Sequence, residues 1–311
     1  MASAPLIVDS AKDLVAVAGR AARAPTLALD VEGNGLFAYR AALCTVQLGW
    51  QEGDETVIAI VDTLATDPAP LREILGPLGP AKVLHDFTFD AKLLAEAGVL
   101  LANLRDTSVL ARMLGRKATG LASLLASELE ISVTKELQQH DWSRRPLGAR
   151  EIEYLAGDVR YLIGLHDKLA TEARALDIEV EVEVECAFKL EAALAPPRER
   201  RPAYLRIKGA DDLDEVGLAV LRRLVDERER IAAQWDQPPF KVAGNDALLA
   251  LAAARPTTGS ELRRIRRGMS PRLLGVADRL VASVLEGIAD GQVPESDRAD
   301  PERMDRATAQ L

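Results

Sequence analysis

A chain of 311 residues is long for one hydrophobic core and suits two domains. With 48% apolar and 28% charged residues, and no apolar run near the roughly 20 residues of a membrane-crossing helix, it reads as soluble; without a basic stretch ahead of an apolar one at the N-terminus, the expected location is the cytoplasm. Its two cysteines, Cys44 and Cys186, are far apart, which excludes a disulfide framework or a Cys-rich zinc site, and a net charge of −9 is unlike that of a protein that simply coats phosphates with Lys and Arg.

In chain order, β-rich runs predict strands at 6–8, 26–31, 43–49, 56–62 and 82–85, and helices at 11–22 (capped by Asp9 or Ser10), 71–75 and 87–97. Short connections between the early strands suit antiparallel pairing, while the later ones pass through helices, so a mixed sheet in an α/β fold is expected. Helices follow at 107–114 and 120–129, then one long amphipathic helix at 149–174. Residues 178–184 alternate apolar and acidic as a strand would, yet the helix formers of 186–194 continue them, and the segment is read as helix.

Ala195-Pro196-Pro197 and the run RERRP cannot continue that helix. They divide the chain into a first domain, 1–195, a linker, 196–208, and an all-helical second domain, 209–293; the polar tail, 294–311, is expected to be mobile. In the second domain Leu213, Val216, Val220, Leu224 and Ile231 form an apolar stripe, and Asn245, Ser260 and Ser270 are the expected N-caps, with Pro271 in the first helical position. Two basic runs, 198–208 and 263–272, offset the acidic balance locally.

Phosphodiester hydrolysis by two metals needs several carboxylates around cations about 4 Å apart. Asp30 and Glu32 lie two apart at the end of an apolar strand, so they share a face; alone, such a pair is more often a strand-end turn. Asp90 falls in the first turn of the next predicted helix after His85, where a carboxylate also suits the helix dipole. Tyr154 and Asp158 are four apart on one helix face, beside the stripe Ile152, Leu155, Val159 and Leu162. Gly157 costs a helix about 1 kcal/mol relative to Ala, which points to close approach of a backbone or a substrate there. His85 is read as a satisfied histidine at a strand end and Trp142 as a core residue, while Lys135, Arg144 and Arg145 are candidate phosphate contacts.

The ordered motifs D-x-E, H-x4-D and Y-x3-D, set in LALDVEG, KVLHDFTFD and DWSRRPLGAREIEYLAGDVRYL, resemble those of the ribonuclease D family, in the Tyr-containing branch of the DEDD superfamily, over residues 5–194. YLRIKGADDL, LRRLVDERERIA and LRRIRRGMSPRLL resemble the HRDC helical domain. The resemblance implies a ribonuclease H-like mixed sheet flanked by helices, followed by a small all-α bundle. It also implies a 3′→5′ exoribonuclease that releases nucleoside 5′-monophosphates from RNA with a single-stranded 3′ end, in tRNA or structured-RNA maturation, with a monomer favoured. Asp30, Glu32, Asp90 and Asp158 would then ligate two Mg²⁺ or Mn²⁺ ions, and Tyr154 would hold the attacking water. Arg263, Arg264, Arg266, Arg267 and Arg272 would meet phosphates. A DNA exonuclease and a catalytically silent RNA-binding scaffold are the competing readings; the complete carboxylate set argues against the second. One departure from the family pattern is Gly33, where an aromatic residue usually follows D-x-E, and Phe37 is the candidate replacement.

Overall fold

Strand β2 (Thr26–Gly33) organises the first part of the chain, because its alternation sends Leu27, Leu29 and Val31 into a large apolar core and Ala28, Asp30 and Glu32 to the opposite face. It pairs antiparallel with β3 (Leu43–Glu52), which pairs antiparallel with β4 (Glu55–Asp62). β1 (Leu6–Val8) adds in parallel beyond β4; on the other side β5 (Ala81–Leu84) and β6 (Leu104–Asp106) continue in parallel, giving a six-stranded mixed sheet in the order β1-β4-β3-β2-β5-β6. In the computed structural model, which describes residues 4–133, 136–196, 201–265 and 271–298, no helix among the described residues is long and apolar enough to cross a membrane.

Helices α1 (Ala11–Ala21), α2 (Leu71–Leu75) and α3 (Thr88–Glu96) cover the first face of the sheet around Leu14, Leu71 and Leu94. Ser10, not Asp9, caps α1, accepting the Asp13 N–H at 3.2 Å. α4 (Thr107–Met113) and α5 (Leu121–Leu129) lead to the helices that cover the second face. The expected single helix over 149–174 is two, α6 (Ala149–Arg160) and α7 (Leu162–Ala175), separated by Tyr161, whose φ of −113° and ψ of −3° stray from regular helix values. The break lets α6 lay Ala156 and Val159 on the sheet while α7 packs Leu165 and Leu169 against α4 and α5. α8 (Glu179–Leu194) is a helix despite its alternating start.

The chain divides into two compact units, Met1–Leu36 with Ala41–Ala195, and Phe37–Arg40 with Pro196–Leu311. The second is helical: α9 (Glu215–Trp235), α10 (Pro239–Val242), α11 (Asn245–Ala254), α12 (Gly259–Arg264), α13 (Pro271–Leu274), α14 (Ala277–Asp290) and α15 (Glu295–Arg298). Val220, Leu224 and Ile231 of the apolar stripe are fully buried at its core. Three expectations need correction here. The later part of the presumed linker is core, since a 3₁₀ turn, Ala203–Arg206, buries Tyr204 and Leu205. The start of the presumed mobile tail is ordered, with Asp297 accepting a hydrogen bond from the Tyr204 hydroxyl at 3.0 Å. Finally, α11 and α12 are preceded by Gly244 and Thr258 rather than capped by Asn245 and Ser260: Asn245 accepts instead from Arg228 at 2.8 Å, and Thr258 takes the Glu261 N–H. Ser270 and the tail beyond Arg298 lie outside the described residues.

Candidate active site

The polar face of β2 is built before any ligand is considered. Across the antiparallel ladder Asp30 faces Gln47 and Glu32 faces Thr45, both fully buried and joined by a Gln47 Nε2 to Thr45 Oγ1 hydrogen bond of 2.7 Å. Helix α6 crosses this face, and it comes close because position 49 has no side chain: a Cβ there would stand 3.3 Å from both the Val159 carbonyl oxygen and the Ala28 methyl. At Gly157 no other backbone comes within 4 Å of the corresponding position; of the two expectations, a neighbouring backbone is excluded, and the glycine lines the open cleft.

The result is a convergence of acids. One carboxylate oxygen each from Asp30, Glu32 and Asp158 lie within 4.8 Å of one another. Asp90, only 6% exposed in the first turn of α3, sits beside Asp30 closely enough for burial and Asp30's charge to push its carboxyl well above the usual range. Its helix is aimed by the preceding turn, in which Asp86 adopts a left-handed φ of 59° and the buried Asp106 carboxylate accepts the Phe87 N–H at 3.1 Å. Asp106 also caps α4 through the N–H groups of Ser108 and Val109, at 2.6 and 3.1 Å.

Electrostatics follow from this crowding. Burial first, then the Asp158 charge, raises Asp30 well above the ordinary carboxylate value. Burial and the charges of Asp30, Asp158 and Asp90 push Glu32 to about 9, and burial pushes Asp158 to about 7. Among the described residues no Lys or Arg forms an ion pair with any of the four, so no described cation balances their charge. An all-oxygen donor set of this kind fits a hard divalent cation, which would supply the missing charge. The Tyr154 hydroxyl is raised by burial and then by Asp158, so it stays a neutral phenol at physiological pH. Its ring lies 5.6 Å from that of Trp142, which is 1% exposed and makes an edge contact with His140 at 4.9 Å.

Other candidates fare differently. Arg145 is no phosphate contact: its five N–H donors go to Asp62 (2.5 and 2.8 Å) and to the carbonyls of Cys44, Trp142 and Arg144. It clamps the loop ahead of α6 onto the ends of β3 and β4. Arg145→Ala is therefore expected to cost about 2–3 kcal/mol of stability in urea unfolding, because it strands a largely buried Asp62. Burial raises Asp62, but the hydrogen bonds and charge of Arg145 outweigh it and hold the carboxyl below its usual value. The stabilisation is thus present above the ordinary carboxylate range and lost as pH falls through Asp62's lowered value, so the deficit of the variant should shrink in acid. Arg144 is exposed and, among the described residues, its side chain pairs only with Asp141, at 3.5 Å. Lys135, Arg266 and Arg267 lie outside the described residues. In the helical unit Arg263 and Arg264 are exposed at the end of α12, and Arg272 stacks over Trp235 at 4.0 Å.

His85 Nδ1 is 2.8 Å from Thr107 Oγ1. At Gly33 a Cβ would meet Leu93 Cδ2 at 2.7 Å and the Ala42 carbonyl oxygen at 3.0 Å, so any side chain there would make both give way. The aromatic group beside it is Phe89, 54% exposed, whose Cζ is 3.6 Å from that position. Phe37, the sequence candidate, belongs to the helical unit, with Lys241 4.1 Å from its ring centroid. A ring directly ahead of Asp90 was the signal that sequence reasoning passed over.

A mixed sheet whose central strand carries two acids, with a third brought across it by a helix, defines the 3′–5′ exonuclease class, and residues 5–174 match the family described as 3′-5′ exonuclease; residues 217–276 match the HRDC domain. Ribonuclease D of Jannaschia sp. (strain CCS1) is 30% identical over 298 residues, 94% of this chain and 76% of that protein. The crystal structure of Escherichia coli RNase D aligns with a TM-score of 0.74 at 28% identity, over 93% of this chain and 76% of that one. The catalytic core of RRP6 from Trypanosoma brucei has the same fold, with a TM-score of 0.78 at 23% identity over 92% of this chain and 80% of that one. The chain belongs to the ribonuclease D family.

Proposed function

We propose that the protein shortens RNA from its 3′ end by metal-dependent hydrolysis, releasing nucleoside 5′-monophosphates, and that it works as a monomer in the cytoplasm. The observation that carries this reading is the crowding of four carboxyls, Asp90 buried and the other three half-buried, without a cationic partner among the described residues, in a chain of the ribonuclease D family. Asp30, Glu32, Asp90 and Asp158 would hold two Mg²⁺ or Mn²⁺ ions. When bound, the ions lower the pKa of the attacking water and neutralise charge on the phosphate and the leaving 3′ oxygen.

The remaining tasks fall to the protein. Tyr154, kept protonated by its surroundings and backed by Trp142, orients the water through its hydroxyl rather than acting as a strong base. Phe89 offers a ring against which the terminal base can stack. Arg263, Arg264 and Arg272 give the helical unit a phosphate-binding surface. RNA is favoured because the curated relatives are ribonucleases; the Escherichia coli enzyme is described as an exoribonuclease involved in structured RNA processing, and 3′ maturation of tRNA or other structured RNA is the matching role here. A 5′-labelled single-stranded RNA should give a ladder shortening from the 3′ end in Mg²⁺ or Mn²⁺ and none in EDTA. RNA bound but intact under every condition would make this a non-catalytic RNA-binding protein, and faster loss of a matched DNA would reassign the substrate.

A further inference from the structure

From Tyr154 and Asp158 the cleft continues into two cavities. The larger, about 460 Å³, contains Arg150 and Arg160, but both guanidinium groups are already spent, on Glu136 at 2.7 Å and Glu153 at 2.5 Å. The other, about 310 Å³, is lined by His85, Ser108, Arg112, Thr119 and Gln138 as well as by Tyr154 and Asp158. Arg112 is exposed there and makes no hydrogen bond or ion pair with any described residue. In a chain of net charge −9 an unpaired guanidinium opening onto an acidic site is a conspicuous expense unless an anion comes to it.

The rest of the lining narrows what that anion belongs to. Ser108 is 4% exposed, and its Oγ is sealed below the cavity surface with no partner among the described residues, so it does not reach a ligand. Thr107 donates its own proton to the Leu84 carbonyl at 3.1 Å, so it accepts from His85 Nδ1–H at 2.8 Å. That leaves His85 Nε2 as a bare acceptor, unsuited to a phosphate oxygen and suited to a hydroxyl. Two carboxylates also line the cavity: Asp86 is paired with Lys189 at 3.3 Å, and Asp158 belongs to the acidic cluster. An anionic group at Arg112 with a sugar hydroxyl toward His85 describes one nucleotide unit.

The direction of the strand follows from counting phosphates. In an exonuclease the scissile phosphate occupies the carboxylate cluster, and the terminal nucleotide beyond it carries only hydroxyls. Any second phosphate must therefore lie on the 5′ side. Resting on the exonuclease reading above, we propose that this cavity seats the nucleotide immediately 5′ of the bond to be cut, with Arg112 binding the phosphodiester one linkage upstream of the scissile one.

The test is a double cycle on a 5′-fluorescein RNA hexamer, made with ordinary phosphates or with a neutral methylphosphonate at the second linkage from the 3′ end. Arg112→Ala should lower kcat/KM on the ordinary hexamer about tenfold, with an unchanged thermal midpoint because no described residue takes a hydrogen bond or ion pair from the side chain. The methylphosphonate should cost the wild type the same factor, and the two changes together should cost no more than either. Losses that multiply, or a methylphosphonate without effect on the wild type, would overturn the assignment. Anisotropy in EDTA repeats the cycle without turnover. Non-additive binding alongside absent hydrolysis in Mg²⁺ and Mn²⁺ would leave the subsite standing while the exonuclease reading fell.

Discussion

Asp158→Asn is expected to reduce hydrolysis of single-stranded RNA by roughly a thousandfold or more while making the metal-free protein more stable, not less. Both effects have one origin. The carboxyls of Asp30, Glu32, Asp90 and Asp158 are held above their ordinary pKa values by burial and mutual repulsion, so folding them together without a counter-charge is unfavourable. Replacing one with its neutral isostere removes a metal ligand and the repulsion together. In EDTA the thermal midpoint should rise by about 3–6 °C, as a gain of one to two kcal/mol implies for a domain of this size; the same should hold for Asp30→Asn. Full activity in either variant would remove that residue from the metal set, and a fall in the metal-free midpoint would show that its carboxylate is structural.

Cation affinity should climb steeply with pH. Glu32, at about 9, and Asp158, at about 7, must surrender protons before they can ligate. Calorimetric titration with Mn²⁺ in two buffers of different ionisation heat should therefore show more than one proton released per site filled near pH 7. Raising the pH from 7 to 8 should tighten binding about tenfold per proton released. For the metal-free protein the sign reverses. The folded chain keeps protons that the unfolded chain has already lost, so stability should decline as pH rises from the ordinary carboxylate range through 7 toward 9, and divalent cations should restore it. A pH-independent affinity would mean that the acids are ionised before the metal arrives.

Much of this site could be read from the residues alone, and the failures have definite causes. Asp30 and Glu32 stand out because a strand buried on one face leaves little choice about where alternating side chains point. Asp158 and Tyr154 follow from helical spacing beside an apolar stripe. Long-range partnership was the part that local pattern could not convey. Arg144 and Arg145 look alike in sequence, but Asp62 and Cys44, two of the residues that consume Arg145, lie 83 and 101 residues away. The break at Tyr161 involves neither Pro nor Gly, and the apolar period runs through it uninterrupted. β6 is three residues long with an exposed arginine in the middle, too short to alternate visibly, yet it supplies Asp106. Gly157 left two readings open because a helical glycine can mark either a near backbone or room for a substrate, and only the structure removes the first.

Gly49 makes a different point about how such a centre is maintained. The height of α6 above the sheet is set at a place where a hydrogen atom occupies the space a methyl group would need. Asp158 and Tyr154 ride on that helix, while Asp30 and Glu32 are fixed to the strands below. The gap across which a cation must be gripped from both sides is thus gauged by a residue that carries no charge and touches no substrate. One added carbon there would make the strand or the helix yield by a few tenths of an ångström, altering the spacing of the site with every acid still in place.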